Sequence, residues 1–181
     1  SLQRKELEYL TDIDMNLPCQ MYGDIVRIRQ VLINIINNAV KFTNKGHVKL
    51  TVRGQNINEA GEPVEEETEY IKLIFSISDT GIGIKQEDLH NIFDKFKQVD
   101  EKVNRGIEGT GLGLSISRQL VHMMGGEIYV ESEYGCGTTF IIEICQKVLD
   151  RQRLQDSIAQ RTSENYGVQK VFYAPSARIL V

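Results

Sequence analysis

Residues 24–43 constrain this chain more than any other stretch, because one helical period there carries two chemically opposed faces. Ile28, Val31, Leu32, Ile35 and Ala39 recur at the spacing of an α-helix that buries one side. Asn34, Asn38 and Lys41 fall within about 60° of one another at about 100° per residue, and so form a separate polar stripe. Asp24 supplies an N-cap, and Asn44-Lys45-Gly46 supplies a stop near Phe42. Such a helix needs an apolar layer beneath it.

The chain provides strands for that layer. Residues 47–53 alternate through Val48, Leu50 and Val52, and residues 71–77 alternate through Ile71, Leu73, Phe75 and Ile77. A short helix is predicted over 86–93. A glycine-rich loop then opens a helix over 112–124, which Gly125-Gly126 ends, with Met123 and Met124 filling core. Residues 127–131 and 138–145 read as a closing hairpin. Residues 1–23 read as an approach segment, extended around Leu17-Pro18. This order predicts an α/β two-layer sandwich, a mixed and mostly antiparallel sheet packed against about three helices.

The loop at 54–69 holds six glutamates and no basic residue, with Gly61 and Pro63 inside it. That composition suits a solvated hairpin tip; an interaction patch is the alternative. Residues 1–145 are expected to form the globular domain. Residues 146–176 read as a linker with helical spacing through Val148, Leu149, Leu154 and Ile158.

At 181 residues with 41% hydrophobic content, the chain is long enough for one good core. No apolar run reaches the roughly 18–20 residues that span a bilayer, so no direct membrane contact is expected from this segment. The net charge of −4 lacks the basic stripe that a general nucleic-acid surface requires. Cys19, Cys136 and Cys145 match no metal-ligand spacing and read as buried thiols of a reducing cytoplasm.

Five segments carry chemistry. On the first helix, two carboxamides and an amine can offer oxygen ligands to Mg²⁺ and a cation to phosphate, although a solvated polar face shows the same pattern. Asp79-Thr80-Gly81-Ile82-Gly83-Ile84 follows a strand directly. There the glycines admit a flat ligand and the Asp79 carboxylate suits an exocyclic amine such as that of adenine; a plain turn is the alternative. Gly109-Thr110-Gly111-Leu112-Gly113-Leu114 enters a helix, whose amide end attracts anions such as a triphosphate, unless it is flexible linker. Between the last two, Phe93 and Phe96 can anchor a loop whose Lys97, Lys102 and Arg105 fold over phosphates, or an ordinary basic loop. Gly137-Thr138 opens the final strand, where glycine can mark a bulge beside a ligand.

Taken together, these segments resemble the ATP-binding catalytic domain of sensor histidine kinases, in the superfamily shared with gyrase and mismatch-repair ATPases. Residues 27–34 and 38–43 resemble its asparagine box, Asp79 to Ile84 its first glycine box, and Phe93 to Phe96 its phenylalanine box. Gly109 to Leu114 resemble the second glycine box and Gly137-Thr138 the third. All five occur in family order. The resemblance implies a Bergerat-type fold that binds ATP with Mg²⁺. Asn38 would help to coordinate the metal, with Asn34 and Lys41 supporting the phosphate end. Asp79 would bind the adenine amine, and Gly111, Gly113 and the loop cations would hold the phosphates. Glu108 stands where many relatives have glycine, which leaves the detail of that loop's hinge open.

The resemblance also implies a reaction. Gyrase-type relatives have a glutamate at the place of Asn34 to activate water, and an amide cannot take that proton at neutral pH. The expected chemistry is transfer of the γ-phosphoryl to a histidine on a separate acceptor and dimerisation domain of the same protein. None of His47, His90 and His122 has that acceptor's setting. Ala177-Arg178-Ile179-Leu180-Val181 resembles the opening strand of a receiver domain, which makes a receiver or response regulator an expected partner. The location implied is cytoplasmic, within a parent that has its own anchor or none. A nucleotide-sensing module without transfer and a gyrase-type ATPase clamp are the competing readings.

Overall fold

The computed structural model describes residues 6–94 and 112–165. Strand β1 (Glu6–Ile13) and strand β2 (Pro18–Tyr22) precede helix α1 (Ile25–Phe42). Strands β3 (Lys45–Ile57) and β4 (Tyr70–Asp79) follow, then the single turn α2 (Gln86–Leu89). Helix α3 (Gly113–Met123), strands β5 (Glu127–Glu133) and β6 (Gly137–Arg153) and helix α4 (Leu154–Asn165) complete the described chain.

The six strands form one open sheet in the order β1-β3-β4-β6-β2, with β5 also paired to β6. Only β1 and β3 run parallel; the other pairs are antiparallel. Strand β6 is 17 residues long and serves two neighbours on one edge, β5 along its first half and β2 along its second. The architecture is the expected mixed, mostly antiparallel sheet with helices packed against it.

Local chemistry explains the elements. Asp24 caps α1 by accepting the Arg27 N–H at 3.0 Å, and its other oxygen meets Arg27 Nε at 3.2 Å. Ile28, Val31, Ile35 and Ala39 are buried on the side that faces the sheet, while Leu32 is half-buried beside them. On β4 the expected alternation holds, with Ile71, Leu73, Phe75 and Ile77 all inward. Phe140, Ile142 and Ile144 meet them from β6. Ile35, Ile77, Ile142 and Val121 are fully enclosed, so the core centres where α1, α3, β4 and β6 converge.

Several expectations are revised. Residues 6–13 and 18–22, read as an approach segment, are strands. β1 is an edge strand, and none of its residues is buried. It is pinned instead by charge: Asp12 meets Arg53 at 2.7 Å and Lys49 at 3.5 Å, and the Arg53 guanidinium holds the Asp12 carboxyl below its usual range. Residues 146–153, read as the start of a linker, continue β6. Their apolar alternation is interrupted at the inward position Gln146, which is buried against Gly23, before Val148 packs on the core again. Cys136 and Cys145 are exposed rather than buried, since one lies in a turn and the other on the outward face of β6. Met124 packs against the core as expected, but Met123 is 64% exposed. Among the described residues no helix is long and apolar enough to cross a membrane.

The alternation on β4 is directly testable. Ile77→Ala should destabilise by about 2–5 kcal/mol, because it opens a cavity at a fully enclosed site. Ile74→Ala, three residues away on the outward face, should cost less than half as much in the same denaturant titration.

Candidate functional site

Helix α1 meets α3 through Asn34 of its polar stripe and meets the sheet at its C-terminus through Thr43. Asn34 Nδ2 donates to the Ser117 hydroxyl at 2.8 Å, and Ser117 is almost fully buried. A Cβ built on Gly113 would lie 2.5 Å from Asn34 Oδ1, so the absence of a side chain at Gly113 lets α3 start against the carboxamide. The first turn of α3 places its amide groups here, with Leu112 at the N-cap. Asn38 lies one turn further along α1 and is half-buried. Lys41 follows, with its ammonium 5.0 Å from the centre of the Phe42 ring. Asn34 and Gly113 also line a groove of about 450 Å³ between the two helices, together with Val26, Ile33 and Ile116.

At the C-terminus of α1, Thr43 is completely buried; its hydroxyl donates to the Ala39 carbonyl at 2.7 Å and lies 3.4 Å from Asp79 Oδ1. The same Asp79 oxygen accepts the Gly81 N–H at 2.8 Å. Burial raises the Asp79 pKa above its ordinary value, and the Gly81 N–H, the Thr43 hydroxyl and the Thr138 backbone partly offset that rise. Asp79 pairs directly with Thr138, so the two side chains stand next to each other on the helix-facing side of the sheet.

The glycine turn after Asp79 is strapped to the β5–β6 turn. Gly135 N–H donates to the Ile82 carbonyl at 2.7 Å, and Ile84 N–H donates to Ser132 Oγ at 2.8 Å. Ser132 Oγ donates in turn to the Gly137 carbonyl at 2.7 Å and lies 2.9 Å from Thr138 Oγ1. Gly83, at a φ of +67°, packs on the Glu133 carbonyl. Below the turn, Phe93 meets Phe140 edge to face at 6.4 Å, and the Arg118 guanidinium lies 5.4 Å from the Phe93 ring centre.

Asp79, Gly81, Gly83, Ile84 and Thr138 are therefore gathered at the sheet end. Asn34, Asn38, Lys41, Leu112 and Gly113 lie along α1 and the start of α3. Phe96, Lys97, Arg105, Gly109, Thr110 and Gly111 lie outside the described residues. Sequence reading did not single out Thr43 or Ser117, nor Ser132, which tethers Ile84, Gly137 and Thr138 through one oxygen. Ser132 shows only as a lone serine ahead of a glycine turn, and its partners are up to 48 residues away.

Two glycines of one turn separate strain from collision. Gly135 has a φ of +89° with open space at its side, whereas Gly137 has a φ of +127° and a Cβ added there would collide with the Asp79 backbone carbonyl. Gly135→Ala should cost about 1–2 kcal/mol from the left-handed backbone alone. Gly137→Ala should cost clearly more and displace the Asp79 strand end, which thermal melts of the two variants compare.

A family model described as histidine kinase-, DNA gyrase B- and HSP90-like ATPase matches residues 23–148. Hybrid signal transduction histidine kinase B of Dictyostelium discoideum is 39% identical over 144 residues, which is 80% of this chain and 7% of that protein. Full-length ShkA, solved in complex with AMPPNP, superposes with a TM-score of 0.63 at 32% identity, covering 80% of this chain and 26% of that one. The catalytic domain of histidine kinase ThkA superposes with a TM-score of 0.56 at 30% identity over 77% of this chain and 80% of that one. The chain thus spans a small fraction of the full-length relatives but most of an isolated catalytic domain. By the match across residues 23–148, on a frame shared with these kinases, the chain belongs to the histidine kinase-, DNA gyrase B- and HSP90-like ATPase family, on its histidine kinase side.

Proposed function

We propose that this chain binds ATP with Mg²⁺ and donates the γ-phosphoryl to a histidine on a separate acceptor domain of the same protein. The observation that carries this is the pairing of a half-buried acidic group with a distant row of carboxamides on one helix. Asp79 touches the last turn of α1, while Asn38 and Asn34 lie about 7 and 14 Å back along the axis at about 1.5 Å per residue. A purine held at Asp79 would direct its phosphates toward the amides and the α3 N-terminus. Opposite ends of the cleft thus suit opposite ends of a nucleotide.

The donor set fits Mg²⁺. Among the described residues no three His, Cys, Asp or Glu side chains group to hold a metal unaided. A hard cation that arrives on phosphates and keeps several waters needs only one or two added oxygens, which Asn38 and its neighbour Asn34 can give. Bound there, the ion would neutralise charge on the phosphates. Lys41 adds a cation to the same stripe, and the amides at the α3 N-terminus add donors.

Neither Asn34 nor Asn38 can accept a proton at neutral pH, so neither of these two helix residues can activate water as a carboxylate would. They orient a phosphoryl group and stabilise its charge, which favours transfer to an incoming nucleophile over hydrolysis. The relatives whose names include hybrid signal transduction are similar over this domain, which supports acceptor and receiver domains as the partners.

Incubated alone with Mg²⁺ and γ-labelled ATP, the chain should not label itself and should release little phosphate. With the acceptor-helix domain of the same protein added, acid-labile phosphohistidine should appear on that domain. Rapid hydrolysis by the chain alone would favour a clamp, and binding without transfer would favour a sensing module.

Asp79→Asn should move two measurements in opposite directions. Loss of the charge-assisted bond to the base, about 1.5 kcal/mol or more, should weaken ATP at least about tenfold by calorimetry. The raised pKa means that the folded chain holds this proton more tightly than the unfolded chain does. The contribution of Asp79 to stability is then greatest below the ordinary aspartate range and is lost as pH rises through the raised value. The neutral amide removes that loss, so near pH 7 the nucleotide-free variant should melt at or above the wild-type midpoint.

A further inference from the structure

We propose that Ser132 is a positioning residue that fixes the direction of the Thr138 hydroxyl proton, and thereby decides which purine edge the Asp79 end of the cleft accepts. This rests on the reading of that end as the base site. Asp79, Thr138 and Ser132 form a lateral row across β4, β6 and β5, since Asp79 pairs with Thr138 and Thr138 pairs with Ser132. Residues directly opposite one another in an antiparallel pair share a face, so all three side chains stand on the helix side of the sheet.

The polarity of the row follows from counting protons. A serine hydroxyl has one proton and two lone pairs. The Ile84 N–H can only donate, so at 2.8 Å Ser132 Oγ accepts from it. The Gly137 carbonyl can only accept, so at 2.7 Å the Ser132 proton goes to it. One lone pair remains on Ser132, and Thr138 Oγ1 at 2.9 Å can fill it only by donating. The single Thr138 proton is thereby committed to Ser132. Any ligand that meets the Thr138 oxygen finds lone pairs alone.

Asp79, when ionised, is likewise an acceptor without a donor. Two adjacent acceptors can take the two N–H groups of the single exocyclic amine at C6 of adenine. They oppose an edge that carries a keto oxygen there, as in guanine. The backbone groups that impose this order cannot reverse their polarity. The Ile84 amide belongs to the turn that Gly81 ties to Asp79, and the Gly137 carbonyl belongs to the residue before Thr138, which pairs with Asp79. Ser132 needs no contact with the ligand to act.

The test is a calorimetric titration of the whole chain with Mg²⁺–ATP and with Mg²⁺–GTP, alongside thermal midpoints. Wild type should prefer ATP. Ser132→Ala releases the Thr138 proton to serve a keto oxygen, and the preference should fall about tenfold, with GTP affinity holding or improving. Ser132→Thr keeps the hydroxyl and should keep the preference. Ser132→Cys, with a weaker donor and acceptor in the same space, should give a smaller loss of the same sign and serves if the alanine variant does not fold. In a Thr138→Val background, Ser132→Ala should change the preference by less than about twofold. Equal weakening of both nucleotides by Ser132→Ala, or an undiminished effect in the valine background, overturns the assignment while leaving the base site intact. A wild-type chain that binds neither nucleotide overturns the base site itself and this assignment with it.

Discussion

The site depends on the register between β4 and β6. Ten successive pairs, from Tyr70 with Lys147 to Asp79 with Thr138, hold the two central strands together. The side-chain repeat of a strand is two, so a slip of one residue would turn Asp79 to the outer face and bring its neighbour inward. Ile71, Leu73, Phe75 and Ile77 prevent that slip, because the same shift would expose all four. The hydrophobic core thus aims the carboxylate. Gly137, which has no side chain to collide with the Asp79 carbonyl, allows the pairing to continue to the strand's last residue.

The second constraint is that α1 must satisfy two surfaces at once. Its buried face packs on the sheet, and its amide face meets α3 through Asn34 and Ser117. The contact at Gly113 makes this close approach possible and brings the α3 N-terminus, with its partly positive amides, to the carboxamide row. Thr43 closes the other end by joining the last helical turn to Asp79. One rigid element therefore sets the separation between the acidic end and the amide end. Burial at the acidic end raises the affinity of Asp79 for a proton, a local instability that a bound donor would relieve.

Much of this was legible in the amino-acid order. The bounds of α1, its two stripes, the alternation of β4 and the stop at Gly125-Gly126 follow from periodicity and capping chemistry, and the structure places them as read. The strands at Glu6–Ile13 and beyond Cys145 were not legible. One is an edge held by charge pairs between distant residues, and the other continues through a buried glutamine where the apolar pattern breaks. The positions of the exposed cysteines escaped for a related reason, since facing direction on β6 is settled by its register with β4 and β5.

The order of residues by itself determined which segments carry carboxylate, carboxamide and glycine chemistry, and on what local element each would lie. Periodicity and turn propensity act over a few residues and need no partner. Tertiary structure alone decided that Ser132 would bind Ile84, that Ser117 would hold Asn34 and that Thr43 would reach Asp79. Those hydrogen bonds join residues 36 to 83 positions apart, and their directions depend on donors and acceptors that only a completed sheet and a packed helix pair bring within 3.5 Å.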